Sequence, residues 1–270
     1  MPRPIWTGSI SFGLVNVPVK LFTAVSQKDV RFNQLHSKDN SRIRQQRVNA
    51  QTGQEVPYDE IVKGYEIAPD TYVVIEPGEL EGLDPKSTRT IDIEEFVHLD
   101  QIDPIYFERP YYLVPDQRSA KPYKLLADAI EESGKVAIAR FVLRTKEYLA
   151  AIRSVDGVLV ISTMLYADEV VPTEELDGLP GADVEVSEKE VKMAQALIDS
   201  LTADQFEPDK YHDSYREKVL ELIEKKAAGE VITAPAEEEA QTPVGDLMAA
   251  LEASVAAAKS RRASSADSDG

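Results

Sequence analysis

The chain has 270 residues, with 48 acidic side chains against 30 basic ones, a net charge of −18, 43% hydrophobic residues and no cysteine. Such a length and apolar content support a substantial core, in one large domain or two modest ones. The lack of cysteine excludes a disulfide scaffold, a thiolate zinc site and a cysteine nucleophile. No run approaches ~18 consecutive apolar residues, so no transmembrane helix is expected. The opening Met1–Thr7 lacks the apolar core of a signal peptide, and the absence of cysteine fits a reducing cytoplasm, the location expected.

In chain order, the first half reads as strands. Residues 9–21 alternate, with Ile10, Phe12 and Leu14 in one phase and Val15, Val17, Val19 and Leu21 in the other. The phase change beside Gly13 predicts a bulge or bend, and Pro18 an edge or irregular position. Further β-rich runs are expected at Thr71–Ile75, Thr88–Phe96 and Tyr111–Val114. A helix interrupts them, with Pro122 in its first turn, Leu125, Leu126, Ala129 and Ile130 on its apolar face, and Gly134 as its stop. Val136–Lys146 alternates again, which places Arg140, Arg144 and Lys146 on one face of a strand, Arg140 and Arg144 roughly 13 Å apart. Asp156-Gly157 predicts a hairpin turn into Val158–Leu165. Many short strands in series point to a barrel or sandwich.

The last third is helical. Ser187-Glu188-Lys189-Glu190 forms a capping box, with Val186 and Val191 as its hydrophobic staple. A second helix is expected from about Asp209 to Ala228, with Tyr215, Val219, Leu222 and Ile223 inward and Gly229 as stop. Residues 234–242 have linker composition, and residues 263–270 a disordered, Ser- and Asp-rich one. Between them a helix starting at Pro243 carries Val244, Leu247, Met248, Leu251 and Val255 on one stripe. Such a helix either docks on its own body or serves as a ligand helix for the groove of another protein.

Charge is distributed unevenly. Residues 1–54 hold eight bases and two acids, a surplus of +6, which leaves −24 for the remainder. A second basic patch runs from Lys135 to Arg153 with Glu147 as its lone acid. The asymmetry points either to a polyanion-binding surface on a repulsive body or to a solvated basic face without a partner. His36, His98 and His212 are scattered without metal-ligand spacing, and neither a P-loop, a dinucleotide fingerprint nor a nucleophile elbow occurs. No catalytic residue, metal ligand or cofactor site is therefore expected. A sequence-specific or RNA-binding barrel would need stacking aromatics, yet residues 33–54 contain no Phe, Tyr or Trp. An enzyme that uses the acidic clusters with Mg²⁺ remains the other alternative.

Several blocks together resemble bacterial Ku, the DNA-end-binding protein of non-homologous end joining. They are Trp6-x-Gly8-x-Ile10-x-Phe12-Gly13-Leu14-Val15-Asn16-Val17-Pro18-Val19, His36-Ser37-Lys38-Asp39 with Arg42-Ile43-Arg44, and Tyr58-Asp59-x-Ile61-Val62-Lys63-Gly64-Tyr65-Glu66. Asp103-Pro104-Ile105-Tyr106-Phe107, Arg109-Pro110-Tyr111-Tyr112-Leu113, Lys192-Met193-Ala194 and Pro208-Asp209-x-Tyr211-x-Asp213-x-Tyr215 continue it. The resemblance implies a mainly β fold. A β-barrel core, residues 1–185, would carry a long bridge insertion within about 28–95 that closes a DNA-encircling ring in a homodimer. A helical arm (186–233), the linker and an amphipathic helix (243–262) that recruits the ATP-dependent DNA ligase D would follow.

The resemblance also implies partners: double-stranded DNA ends, a second copy of the chain and the ligase, but no membrane, with work at the nucleoid. The expected phosphate contacts are Lys38, Arg42, Arg44, Arg47 and Lys63 in the bridge, with Arg140, Arg144, Lys146 and Arg153 on the barrel. The expected ligase contacts are Val244, Leu247, Leu251 and Val255. Where some relatives carry a C-x-x-C pair near the bridge, this chain has Asn49-Ala50-Gln51-Thr52-Gly53-Gln54-Glu55, so a metal or thiol knob is absent there. Where some relatives extend into a Lys-rich tail, this one ends acidic, which argues against tail-mediated DNA contacts.

Overall fold

The computed structural model describes residues 3–76, 78–79, 89–181, 183–229 and 250–257. They fall into two units, residues 1–28 with 32–175, and residues 29–31 with 176–270.

The first unit contains nine strands: β1 (Trp6–Phe12), β2 (Val15–Thr23), β3 (Lys63–Ala68), β4 (Thr71–Ile75), β5 (Thr90–His98), β6 (Phe107–Pro115), β7 (Lys135–Leu143), β8 (Lys146–Val155) and β9 (Val158–Met164). Seven close into a barrel of order β1-β2-β6-β9-β8-β7-β5, shut by the parallel β1–β5 pair, while β3 and β4 form a separate ribbon. Closure removes the exposed sheet edges that an open sheet would present. Ile10, Val17, Val19, Leu21, Ile91, Leu113, Phe141, Ile152, Leu159 and Ile161 fill the core. At roughly 1.5–3 kcal/mol per fully buried aliphatic or aromatic side chain, they are the main stabilising contribution of the unit.

Period-2 alternation accounts for most of this. The phase change at Gly13 is a hairpin turn rather than a bulge: Phe12 pairs with Val15, and Gly13 takes φ +58. Pro18 sits beside the end of the β2–β6 ladder, where its carbonyl accepts the Asp116 N–H and the Ser119 hydroxyl. Its nitrogen points to the same side, so the missing donor costs β1 nothing. Asp156-Gly157 turns β8 into β9 with φ +52 and +75, as Asp-Gly predicts.

One helix, α1 (Ala120–Ser133), packs on β7 and β8 and ends at Gly134 in the left-handed conformation. Its buried face is Tyr123, Ala127 and Ile130, whereas Leu125 and Ala129 point outward. Tyr123 explains the rotation: its hydroxyl donates to the Leu113 carbonyl (2.6 Å) and accepts from the Leu159 N–H (2.8 Å), clamping β6 and β9 at one register pair. A polar anchor of this kind escapes a count of apolar residues alone.

The second unit holds α2 (Glu188–Leu201), α3 (Ser214–Ala227) and a short helix α4 over residues 250–257. The Ser187 capping box forms in both directions. Val186 and Val191, the expected staple, both remain exposed. Asp213 caps α3, and Gly229 ends it at φ +81. No residue of α2 or α3 is buried: Tyr215, expected inward, is largely exposed, and Leu222 and Ile223 keep 39% and 40% exposure. Two amphipathic helices alone lack the opposing layer that would cover their stripes. Val244, Leu247, the linker and the tail lie outside the described residues.

Candidate nucleic-acid interface

Between β2 and β3 the chain makes two irregular hairpins, both held by side chains because little apolar burial is available. The first spans Gln34–Ile43: Leu35 bridges Arg42, the His36 N–H donates to Ser41 O (2.8 Å) and Ile43 N–H to Gln34 O (3.1 Å). At its tip the Asp39 carboxylate accepts the Ser41 N–H and lies 3.0 Å from His36 Nδ1. The Ser41 and His36 hydrogen bonds hold Asp39 below the usual carboxylate range, in that order of weight. The second spans Arg47–Val56, where Asn49 Oδ1 accepts from Gln51 N (2.9 Å) and Thr52 N (3.1 Å), and Gly53 takes φ +70. The Asn49 side-chain amide thus closes the turn.

Across residues 31–74 only Val56 is even half-buried. Lys38 rides on the first tip, and Arg42 and Arg44 follow on its return limb, Arg42 bonding the Asn33 amide at 2.5 Å. The Arg47 guanidinium lies 5.1 Å from the Tyr58 ring centroid, a cation–π contact that orients it and leaves its charge uncancelled. Lys63 opens β3. Among the described residues none of these five cations has a carboxylate partner.

Two of the four barrel cations, Arg140 and Lys146, differ in having carboxylate partners. Arg140 projects from β7, 3.1 Å from Glu94 and 4.0 Å from Glu147. Arg144 is not on that strand: Leu143 pairs with Lys146, so Arg144 sits in the β7–β8 turn at φ +63. The even Arg140–Arg144 spacing along one strand face is therefore replaced by one strand position and one loop tip. Lys146 begins β8, 3.6 Å from Glu169 and 5.2 Å from the Tyr148 ring. Arg153, farther along β8, borders a cavity of about 890 Å³ lined also by His98, Phe107, Arg109 and Pro110. Glu147 is the lone acid of this patch along the sequence, but the barrel adds Glu94 from β5 and Glu169 from the turn after β9. Period-2 alternation across Thr90–His98 does not reveal Glu94, because a β-bulge lies between Ile93 and Glu95.

Leu251 and Val255, one turn apart on α4, are half-buried. Among the described residues no three His, Asp or Glu side chains cluster to hold a metal ion, and no helix is long and apolar enough to cross a membrane.

Comparison with known proteins places this geometry. The family model of the Ku70/Ku80 beta-barrel domain matches residues 11–193. The non-homologous end joining protein Ku of Anaeromyxobacter sp. (strain K) is 52% identical over 262 residues, covering 97% of this chain and 88% of the relative. The proteins of the same name from Heliobacterium modesticaldum and Mycobacterium tuberculosis are 46% and 42% identical, covering 96% and 94% of this chain and 94% and 95% of theirs. With a seven-strand closed barrel and a family match over most of its length, the chain belongs to the Ku family.

Proposed function

We propose that this chain binds double-stranded DNA ends regardless of base sequence, as one half of a homodimeric ring through which the duplex is threaded. In non-homologous end joining it would then recruit the ATP-dependent DNA ligase D through its terminal amphipathic helix. The observation that carries this reading is the segment of residues 31–63, where Lys38, Arg42, Arg44, Arg47 and Lys63 are exposed and have no carboxylate partner among the described residues. Such cations on a coreless projection suit phosphates, which carry no sequence information. The names of the relatives, non-homologous end joining proteins, support the pathway.

Dimerisation is supported by apolar surface that one copy leaves uncovered. Phe32, Tyr58, Tyr65, Ile67 and Tyr72 are exposed on the bridge segment. Isolated two-stranded ribbons such as β3–β4 are marginal in water, which a second copy would remedy. Ligase recruitment is supported by the pair Leu251 and Val255, spaced for insertion in a groove. The reading assigns no catalytic residue and sets the work at the nucleoid in the cytoplasm. A salt titration on linear and closed-circular duplex of one sequence tests it: preference for the linear form is expected, and equal binding to both refutes threading.

A further inference from the structure

The geometry points to Glu94 and Glu147 as attenuators of DNA affinity: carboxylates that occupy the Arg140 guanidinium in place of phosphate and hold this barrel contact in reserve. The inference rests on the proposed reading that the chain binds duplex DNA. Arg140 Nε lies 3.1 Å from Glu94 Oε1, and Nη1 lies 4.0 Å from Glu147 Oε2. All three side chains are near half exposure, so phosphate can compete with the carboxylates for one cation.

The arrangement is built rather than incidental. Asp92 and Ile93 pair with Arg140 and Ala139, but Glu95 pairs with Ile138, leaving Glu94 as the extra residue of a β-bulge. A bulge re-aims a side chain that regular pleating would send elsewhere, and here it delivers Glu94 to Arg140. Glu147 arrives from the other side, as the cross-strand partner of Val142 on β8. Asp92, directly opposite Arg140 on β5, adds a third acid. One strand along, Lys146 follows the same pattern with Glu169, whose other oxygen accepts the Tyr166 N–H (2.8 Å) and is thereby fixed. Bridge cations, by contrast, have no carboxylate to surrender among the described residues. Phosphate contacts made by the bridge segment are thus direct, whereas those made by Arg140 first require release of an internal anion. Each phosphate contact held in reserve in this way lowers the salt slope of binding by about 0.9.

The test uses the full-length protein with Glu94→Gln/Glu147→Gln, in which the amide oxygens still accept from Arg140 but the charges are gone. Duplex affinity is measured across a salt series on linear DNA, with the Arg140→Gln/Glu94→Gln/Glu147→Gln triple variant alongside. The double variant should bind about two- to tenfold more tightly at fixed salt, the scale of exposed ion pairs counted in two protomers, with a steeper salt slope. The triple variant should lose that gain. Unchanged or weakened binding by the double variant, or a gain that survives Arg140→Gln, overturns the inference. Failure of the underlying reading appears separately, as wild-type protein that binds neither linear nor circular duplex.

Discussion

Gly8→Ala isolates the packing rule behind the Trp6-x-Gly8 block. On a strand, residues two apart face the same way, so the Trp6 indole lies along the face that a residue-8 side chain would use. A Cβ at Gly8 would fall within the van der Waals envelope of two groups, the Arg89 carbonyl oxygen and the outer edge of the Trp6 ring. Neither yields readily. The carbonyl is held by the Ser9 N–H at 2.9 Å, and the indole packs edge-on against the core Phe141 with centroids 6.1 Å apart. Overpacking usually costs ~1–3 kcal/mol, and with backbone as one obstacle the upper end, about 3 kcal/mol, applies. Any gain from reduced unfolded-state entropy is about 0.4–1 kcal/mol and does not offset it. Urea unfolding should show a lower midpoint at unchanged slope, and the thermal midpoint should fall by about 6–12 °C. In a Trp6→Ala background one obstacle is gone, so Gly8→Ala should cost about 1 kcal/mol less there. An unchanged or raised midpoint for Gly8→Ala would refute the close-approach argument.

The remaining predictions concern the cationic surfaces, the termini and acid stability. Charge reversal at Arg42 and Arg44 should weaken binding to every duplex sequence alike and lower the salt slope by about 0.9 for each phosphate no longer neutralised; a changed sequence preference in a binding-site selection would count against phosphate contact. Arg144→Gly relieves a left-handed φ that costs a non-glycine residue about 1 kcal/mol, while it frees the unfolded chain by a similar amount, so stability should move by less than about 0.5 kcal/mol as DNA affinity falls. Retained affinity would remove the turn from the interface. Truncation after Gly229 should spare end binding and abolish ligase stimulation, and unchanged stimulation would refute the role given to the terminal helix. Asp116 is held below its ordinary value of 3.8, first by its hydrogen bond from Lys20. A depressed folded-state value means a contribution present above that ordinary value and lost as pH falls through the depressed one. Asp116→Asn should therefore flatten the acid limb of stability below about pH 4, and an unaltered acid titration would show the pair to be inert.

Strands and turns were legible wherever local chemistry decides them. Asp156-Gly157, the Gly134 stop and the Ser187 capping box follow from backbone preference and short-range hydrogen bonds, and Thr71–Ile75 matches β4 residue for residue. What failed depends on contacts far apart in sequence or on a turn without its usual residues. The burial of α1 follows Tyr123, whose two hydrogen-bond partners lie 10 and 36 residues away. Arg144 left its expected strand because a two-residue connection closes between Leu143 and Lys146, although Arg144-Thr145 carries neither Gly nor Asn to announce a turn. Tyr215, Leu222 and Ile223 read as inward because an amphipathic stripe states that a face needs covering, without stating by what. Among the candidate contacts, the bridge cations stand out through charge asymmetry alone. The neutralising partners of Arg140 and Lys146 do not, because they arrive through strand pairing, a bulge and the turn after β9.

The net charge of −18 bears less on polyanion binding than the position of a few carboxylates. Exposed charges are screened over about 8 Å at physiological ionic strength, so the carboxylates nearest a cation weigh more than the total of the chain. Glu94, at 3.1 Å from Arg140, sits well inside that length and takes up the charge that a phosphate would need. Two cationic patches of similar appearance in the sequence are therefore unequal in the fold. One is assembled from hairpins whose tip acid, Asp39, is engaged with His36 and Ser41 in holding the turn. The other is threaded through strands whose neighbours supply Asp92, Glu94 and Glu147. Local composition along the chain cannot separate these cases, because strand register decides which acid faces which base.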